Sequence, residues 1–315
     1  MLVDDGFLVL DTDCGIIGER KAVNEVKVVK VPIGQIFPNP YQPRKSFDEA
    51  ALEELGKAGV KYTEIFFNAL SELKPAFIDI LEDILDNYGM KVTSVHPTMS
   101  LAESFMIFSS YERRYYEAEE QYRRYSEIAA RFGAKYIIMH GGKPNGLTTD
   151  EEYCERYMRL KEATRENGVA VLQENVVRYR AGDIEFLRSM RNILGDEAEF
   201  CIDLKQALRC GYDPYTLINE FSENIKHYHI SDHSTASDCM LPGNGGFDFA
   251  EFFGILKNGG FDGAAIIEVY NNAYKEYGEI FDSYRRLVSV TGLECRISNI
   301  KSRKTAPKYV ENNIK

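Results

Sequence analysis

The chain has 315 residues, 44% of them hydrophobic and 28% charged, a globular composition that excludes a disordered or membrane-embedded protein. Its 49 acidic residues outnumber 38 basic ones and leave a net charge of −11, which argues against nucleic acid as a partner. No apolar stretch approaches the roughly 18 residues that a membrane span needs, and the start, MLVDDGFLVLDTDCG, lacks the basic region of an export signal. The six cysteines (Cys14, Cys154, Cys201, Cys210, Cys239, Cys295) show no CxxC pair and no zinc-finger spacing. The expectation is a cytoplasmic protein with reduced thiols, Cys201 being a packing residue.

In chain order, residues 1–45 read as an atypical N-terminal arm. FLVLDTD (7–13) and VKVVKVPI (26–33) have strand composition, but each is followed by a long connection, and Pro38, Pro40 and Pro43 exclude regular structure there. A helix is expected over 48–58, opened by the capping-box pattern Ser46-x-x-Glu49 and stopped at Gly59. From about residue 60 one unit repeats: a short apolar strand, a loop, an amphipathic helix. The strands are YTEIFF (62–67), KVTSVH (91–96), AKYIIMH (134–140), VAVLQENV (169–176), AEFCIDL (198–204), IKHYHIS (225–231) and AAIIEVY (264–270). Their continuous β-branched runs suit a parallel sheet covered on both faces. Between the second and third, Tyr111, Tyr115, Ala118, Tyr122, Tyr125, Ala129 and Phe132 recur at steps of three and four, and Gly133 supplies a C-terminal stop. The alternation predicts a (β/α)8 TIM barrel over 46–292 whose first strand is atypical, followed by a polar, basic tail at 293–315.

All five histidines fall at or beside the C-terminal ends of these strands: His96, His140, His227, His229 and His233. Glu174, Asp203 and Glu268 close three further strands. In a barrel those ends form the mouth where active sites sit. Parity places Leu172 with Glu174, Cys201 with Asp203, His227 with His229 and Ile266 with Glu268 on shared strand faces. An isolated glutamate at a strand end is more often a helix cap or a surface residue; four candidate ligands on consecutive strands point to a metal site. Three carboxylates and one imidazole (Glu174, Asp203, His229, Glu268) suit one divalent ion: manganese, magnesium, cobalt or zinc.

These motifs carry a resemblance. HGG after His140, QEN at 173–175, CIDLKQ at 201–206, HYHISDH at 227–233, LPGNGGFDF at 241–249 and IIEVY at 266–270, in this order and spacing, resemble the xylose isomerase-like barrel superfamily over about 48–290. That superfamily includes sugar-phosphate isomerases, ketose 3-epimerases and endonuclease IV. The resemblance implies a metal-dependent isomerase or epimerase of a sugar or sugar phosphate. Glu174, Asp203, His229 and Glu268 would be its metal ligands, and Glu174 and Glu268 its acid and base on opposite faces of the sugar. The epimerases carry a substrate-binding histidine three residues after the metal aspartate; Gln206 stands there instead. Lys205 and Arg209 are either anchors for a phosphate or carboxylate, or surface charges of the next helix. His96 and His140 are expected at the substrate, and Asp232 to orient a ligand or bind substrate. His227 is expected one layer deeper, as core. Glu64, inside YTEIFF, is a candidate floor or mouth residue without an assigned place. Gly243, Gly245 and Gly246 mark a tight loop, and Asp248 caps the helix from Phe249.

Three other readings stay open: an inosose dehydratase-like lyase, an endonuclease IV-like nuclease, and a non-catalytic barrel. A homo-oligomer is compatible with all of them. Separately, VPIGQIFPNPYQPRKSFDEAALEEL (31–55) resembles the N-terminal stretch of ParB-type chromosome-partitioning proteins. The nucleotide-binding motif and helix-turn-helix that follow in that family have no counterpart downstream. The resemblance therefore implies an alien N-terminal segment and not a DNA-binding function.

Overall fold

A computed structural model of the chain describes residues 49–98 and 102–291. Helix α1 (Glu49–Ala58) comes first. The strands then alternate with helices: β1 (Tyr62–Phe66), α2 (Pro75–Tyr88), β2 (Lys91–His96), α3 (Glu103–Met106), α4 (Glu112–Arg131), β3 (Tyr136–Met139), α5 (Asp150–Arg165) and β4 (Ala170–Glu174). The second half continues with α6 (Ile184–Leu194), β5 (Phe200–Asp203), α7 (Leu204–Arg209), α8 (Pro214–Phe221), β6 (Ile225–Ile230), α9 (Phe249–Asn258), β7 (Ala264–Ile267) and α10 (Tyr277–Thr291).

The seven described strands form one sheet in sequence order, and every neighbouring pair is parallel. The sheet curls into a nearly closed TIM barrel. Glu64 on β1 meets His229 on β6 across its interior, Oε2 lying 3.2 Å from Nε2. Helix α1 packs against α2 and α10, the place of the helix belonging to a first strand. Both candidates for that strand, 7–13 and 26–33, lie outside the described residues, as do the proline-rich arm and the tail from 292. Of the segment 31–55, only residues 49–55 are described, and they belong to α1.

Strand alternation divides the apolar side chains between two layers. Ile65, Val95, Ile137, Val171, Phe200, Ile202 and Tyr228 face outward and join the helix faces in the main core. Ile138, Leu172 and Cys201, with Tyr136 against them, fill the barrel interior as a separate small cluster below the mouth. On α4 and α5 the buried stripe includes Tyr115, Tyr122, Tyr125, Tyr153 and Tyr157, each fully inaccessible. Burying a ring of this size stabilises by about 2–3 kcal/mol, provided that its hydroxyl finds a partner. Tyr157 donates to the Val171 carbonyl at 2.7 Å, Tyr153 to Gln173 Oε1 at 2.5 Å and Tyr122 to Glu103 Oε1 at 2.8 Å. Two of these partners flank the site described next, so the outer helices hold the mouth through tyrosine hydroxyls.

Candidate metal centre

The strands end slightly earlier than their composition suggests. His96, Glu174 and Asp203 are the last residues of β2, β4 and β5, whereas His140 and Glu268 lie one residue beyond β3 and β7. Register sets Asp203 beside His229, and Glu174 beside Cys201. The interior therefore steps up by one layer between β4 and β5, as strand stagger in a barrel requires. The outcome is convergence: ligand atoms of Glu174, Asp203, His229 and Glu268 all lie within 4.8 Å of one another. His229 Nδ1 stands 3.0 Å from Glu174 Oε1 and 3.3 Å from Glu268 Oε2.

The polar residues around Glu174 fix its position. Gln173 points outward, and its Nε2 donates to the carbonyls of Met139 and His140 at 3.2 and 2.9 Å. Asn175 Oδ1 accepts from the Asp203 amide at 2.7 Å while its Nδ2 donates to the Asp203 carbonyl at 3.1 Å. The QEN run thus ties β4 to both neighbouring strand ends and leaves Glu174 facing the mouth. Gly141 serves the same join. Its φ is +88°, and a Cβ there would collide with the Tyr153 hydroxyl and Gln173, while its amide donates to Glu103 Oε2 at 2.7 Å.

The electrostatics call for positive charge. Four carboxylates, Glu64, Glu174, Asp203 and Glu268, surround His229, whose side chain is fully buried. Burial pushes the Asp203 carboxyl up, and the negative charges of Glu268 and Glu174 push the same way against the attraction of Lys205. Burial also acts to raise Glu64, but the charge and hydrogen bond of His229, with His96 and His227 beyond, outweigh it and hold Glu64 at about 2. Burial works against protonation of His229; the carboxylates Glu64, Glu268 and Glu174 around it overcome burial and raise that imidazole well above its ordinary range.

The donor set suits a divalent ion on two grounds. It offers three carboxylates and an imidazole at one point, the mixed oxygen and nitrogen set that manganese, magnesium, cobalt and zinc accept. Glu174 Oε2, moreover, is buried with no hydrogen-bond partner. His140 Nε2 and His96 Nε2 stand 3.1 and 3.6 Å away. An orphaned buried carboxylate oxygen is costly and calls for a partner.

The other expected site residues divide. His96 and His140 do line the centre, their rings 4.7 Å apart edge to face. His227 is the fully buried interior residue expected of it, pushed down to about 3 by burial and by its neighbour His229. Lys205 is no surface charge of α7: its ammonium is buried against Asp203 Oδ2 and lies 3.1 Å from Glu268 Oε2. Arg209, in contrast, is turned away into a pair with Asp238 at 2.6 Å and a bond to the Tyr270 hydroxyl at 2.7 Å. Gln206 Oε1 accepts from the Val177 amide at 3.2 Å, a tie between loops.

Asp232 requires a correction. Its two oxygens accept from the amides of His233, Gly243, Gly245 and Phe247 at 2.8–3.0 Å, so it organises the loop and is spent there. A Cβ on Gly245 would run into the Asp232 carboxylate and the His233 carbonyl, hence the glycine in GNGG. Asp232→Ala should destabilise the fold by about 3 kcal/mol, because four donors lose one charged acceptor. A lowered denaturant midpoint with an unchanged slope checks this. Asp248, as expected, accepts from the Glu251 amide at 2.9 Å and caps α9.

Sequence reading left Glu64 unplaced and missed Glu103. Glu64 bonds His229, lies 3.7 Å from His227 Nε2 and accepts from Ser94 Oγ at 2.6 Å. A carboxylate inside the apolar strand YTEIFF was its signal. Glu103 is fully buried beside the HGG turn, its carboxyl raised by burial, and LAESFM gave no hint of it.

A family model described as xylose isomerase-like TIM barrel matches residues 51–287. The chain belongs to that family. The chain is also similar to an inosose dehydratase of Lacticaseibacillus casei, 25% identical over 204 residues, a match spanning 58% of this chain and 63% of that enzyme. The chain thus spans less than two thirds of that relative's length. Among solved structures of the same barrel, a 3-keto-D-glucoside 4-epimerase from E. coli matches at TM-score 0.63 and 17% identity, over 78% of this chain and 97% of that one. The IOLI protein, solved with a binding zinc atom, matches at TM-score 0.61 and 20% identity, over 78% and 92%. At such identities the likeness shows the xylose isomerase-like fold. Among the described residues no helix is long and apolar enough to cross a membrane.

Proposed function

We propose that the chain is a divalent-metal-dependent isomerase or epimerase of a sugar or sugar phosphate. The observation that carries this reading is the convergence of Glu174, Asp203, His229 and Glu268 at the barrel mouth. These four residues would hold the ion, whose Lewis acidity would polarise a substrate carbonyl and hydroxyl and stabilise the enediolate. The chain's own groups supply the proton steps. Glu174 takes the proton beside the carbonyl through the oxygen that the ion would leave free, with His140 Nε2 3.1 Å from Oε2 to steady the protonated acid. Glu268, a third exposed where Glu174 is buried, takes up a proton from solvent and returns it to the carbon from the other side. A cavity of about 480 Å³, roomy enough for a monosaccharide, is lined by Asp238, Cys239, Tyr270 and Asn272, and the Tyr270 ring also faces Lys205.

Incubation of metal-loaded protein with a panel of ketoses and their phosphates in heavy water tests the reading. Deuterium is expected at the carbon beside the carbonyl of one panel member, with appearance of its epimer or aldose isomer. Exchange with none of them sinks the proposal and leaves the nuclease or non-catalytic barrel. A second reading, loss of water from an inosose, is favoured by the inosose dehydratase relative. It shares the first proton abstraction but ends in a product lighter by one water, which mass spectrometry separates.

A further inference from the structure

The Lys205 ammonium has an unusual place. Its side chain is 3% exposed, and its two partners, Asp203 and Glu268, belong to the proposed ligand set. It reaches them from the first turn of α7, directly after the strand that carries Asp203, so its backbone is anchored beside the site. Asp203 also caps that helix by accepting from the Gln206 amide at 3.0 Å, which fixes the carboxylate relative to the lysine stem. Tyr270 closes the outer side, its ring centre 5.8 Å from the ammonium. Glu174 and His229 occupy the opposite half of the cluster and pair with each other.

We propose that Lys205 is a built-in counter-ion of the carboxylate cluster and competes with the divalent ion for Asp203 and Glu268. The inference rests on the metal reading above and adds a role for a residue that the ligand set leaves out. Without the ion, the ammonium balances the buried Asp203 carboxylate and the partly exposed Glu268 carboxylate, which would otherwise repel each other at close range. If an ion were held by both carboxylates, the ammonium would lose its two acceptors and face a second cation. Two charges about 4 Å apart interact by several kcal/mol where water is partly excluded. The lysine therefore lowers metal affinity and raises the stability of the metal-free protein.

The test compares wild type with Lys205→Met and Lys205→Gln, and uses Lys205→Arg as a control that keeps the charge. Calorimetric titration with manganese and zinc is expected to show at least tenfold tighter binding in Met and Gln, and affinity near wild type in Arg. Thermal melts should show the metal-free neutral variants below wild type, with a larger upward shift on adding metal. Should the Met variant fail to fold, Gln, which can hydrogen-bond both carboxylates, carries the comparison. Equal or weaker metal binding in the neutral variants overturns the competition while the metal reading stands. Binding by the neutral variants and not by wild type supports the competition and overturns metal dependence of the natural chain. Binding by none overturns both.

Discussion

Glu174→Gln should lose about 10³-fold in turnover, the scale of a positioned acid–base group. Gln keeps the shape of the side chain but has no basic oxygen, and Oε2 is the buried atom that no hydrogen bond occupies. The loss should fall on kcat with little change in KM, because the group acts on the reacting proton and not on the resting sugar. Deuterium wash-in from heavy water should vanish in parallel. Circular dichroism and the elution volume should stay those of wild type, since His229 keeps Glu64 and Glu268 as neighbours. Full turnover by this variant would remove Glu174 from the chemistry.

Stripping the metal should have an effect of the same order. Dialysis against a chelator is expected to abolish turnover, since Lewis-acid stabilisation of several kcal/mol corresponds to a thousandfold or more. Manganese, magnesium, cobalt or zinc added back singly should restore it to different extents, which ranks the natural ion. The same additions should raise the melting temperature. An ion present at a hundred times its dissociation constant stabilises the native state by about 2.7 kcal/mol, a shift of roughly 5–10 °C for a barrel of this size. Retained activity after chelation, with no metal in elemental analysis, would end the metal reading.

The sequence made some of this legible because strand period and barrel geometry are simple rules. Once Leu172, Cys201 and His227 are read as interior, the residues two places on, Glu174, Asp203 and His229, must face the mouth. The structure brings them together, with Leu172 and Cys201 packed below. Two kinds of residue escaped that logic. Glu64 obeys the same parity, but its partners His229, His227 and Ser94 lie on other strands, so only the three-dimensional closure gives it a role. Asp232 and Arg209 look like ligands in sequence, yet backbone amides claim the first and Asp238 the second. Loop hydrogen bonding has no period, and a carboxylate spent on a turn cannot be told by spacing from one left free. Lys205 stands between: its residue type suggested an anion contact, and only its burial revealed that the anion is the protein's own.

The pairing of Glu64 with His229 spans 165 residues of chain. Contacts so distant in sequence are the last to form, because closing a long loop costs entropy before any contact repays it. A nascent or partly folded chain that has built β1 to β5 holds Glu174 and Asp203 but lacks His229 and Glu268, which complete the proposed set. On the proposed metal reading, capture of the ion would be coupled to the final step of folding. In a refolding experiment the ion would act as a latch on the finished barrel and slow its unfolding, while leaving the early collapse untouched.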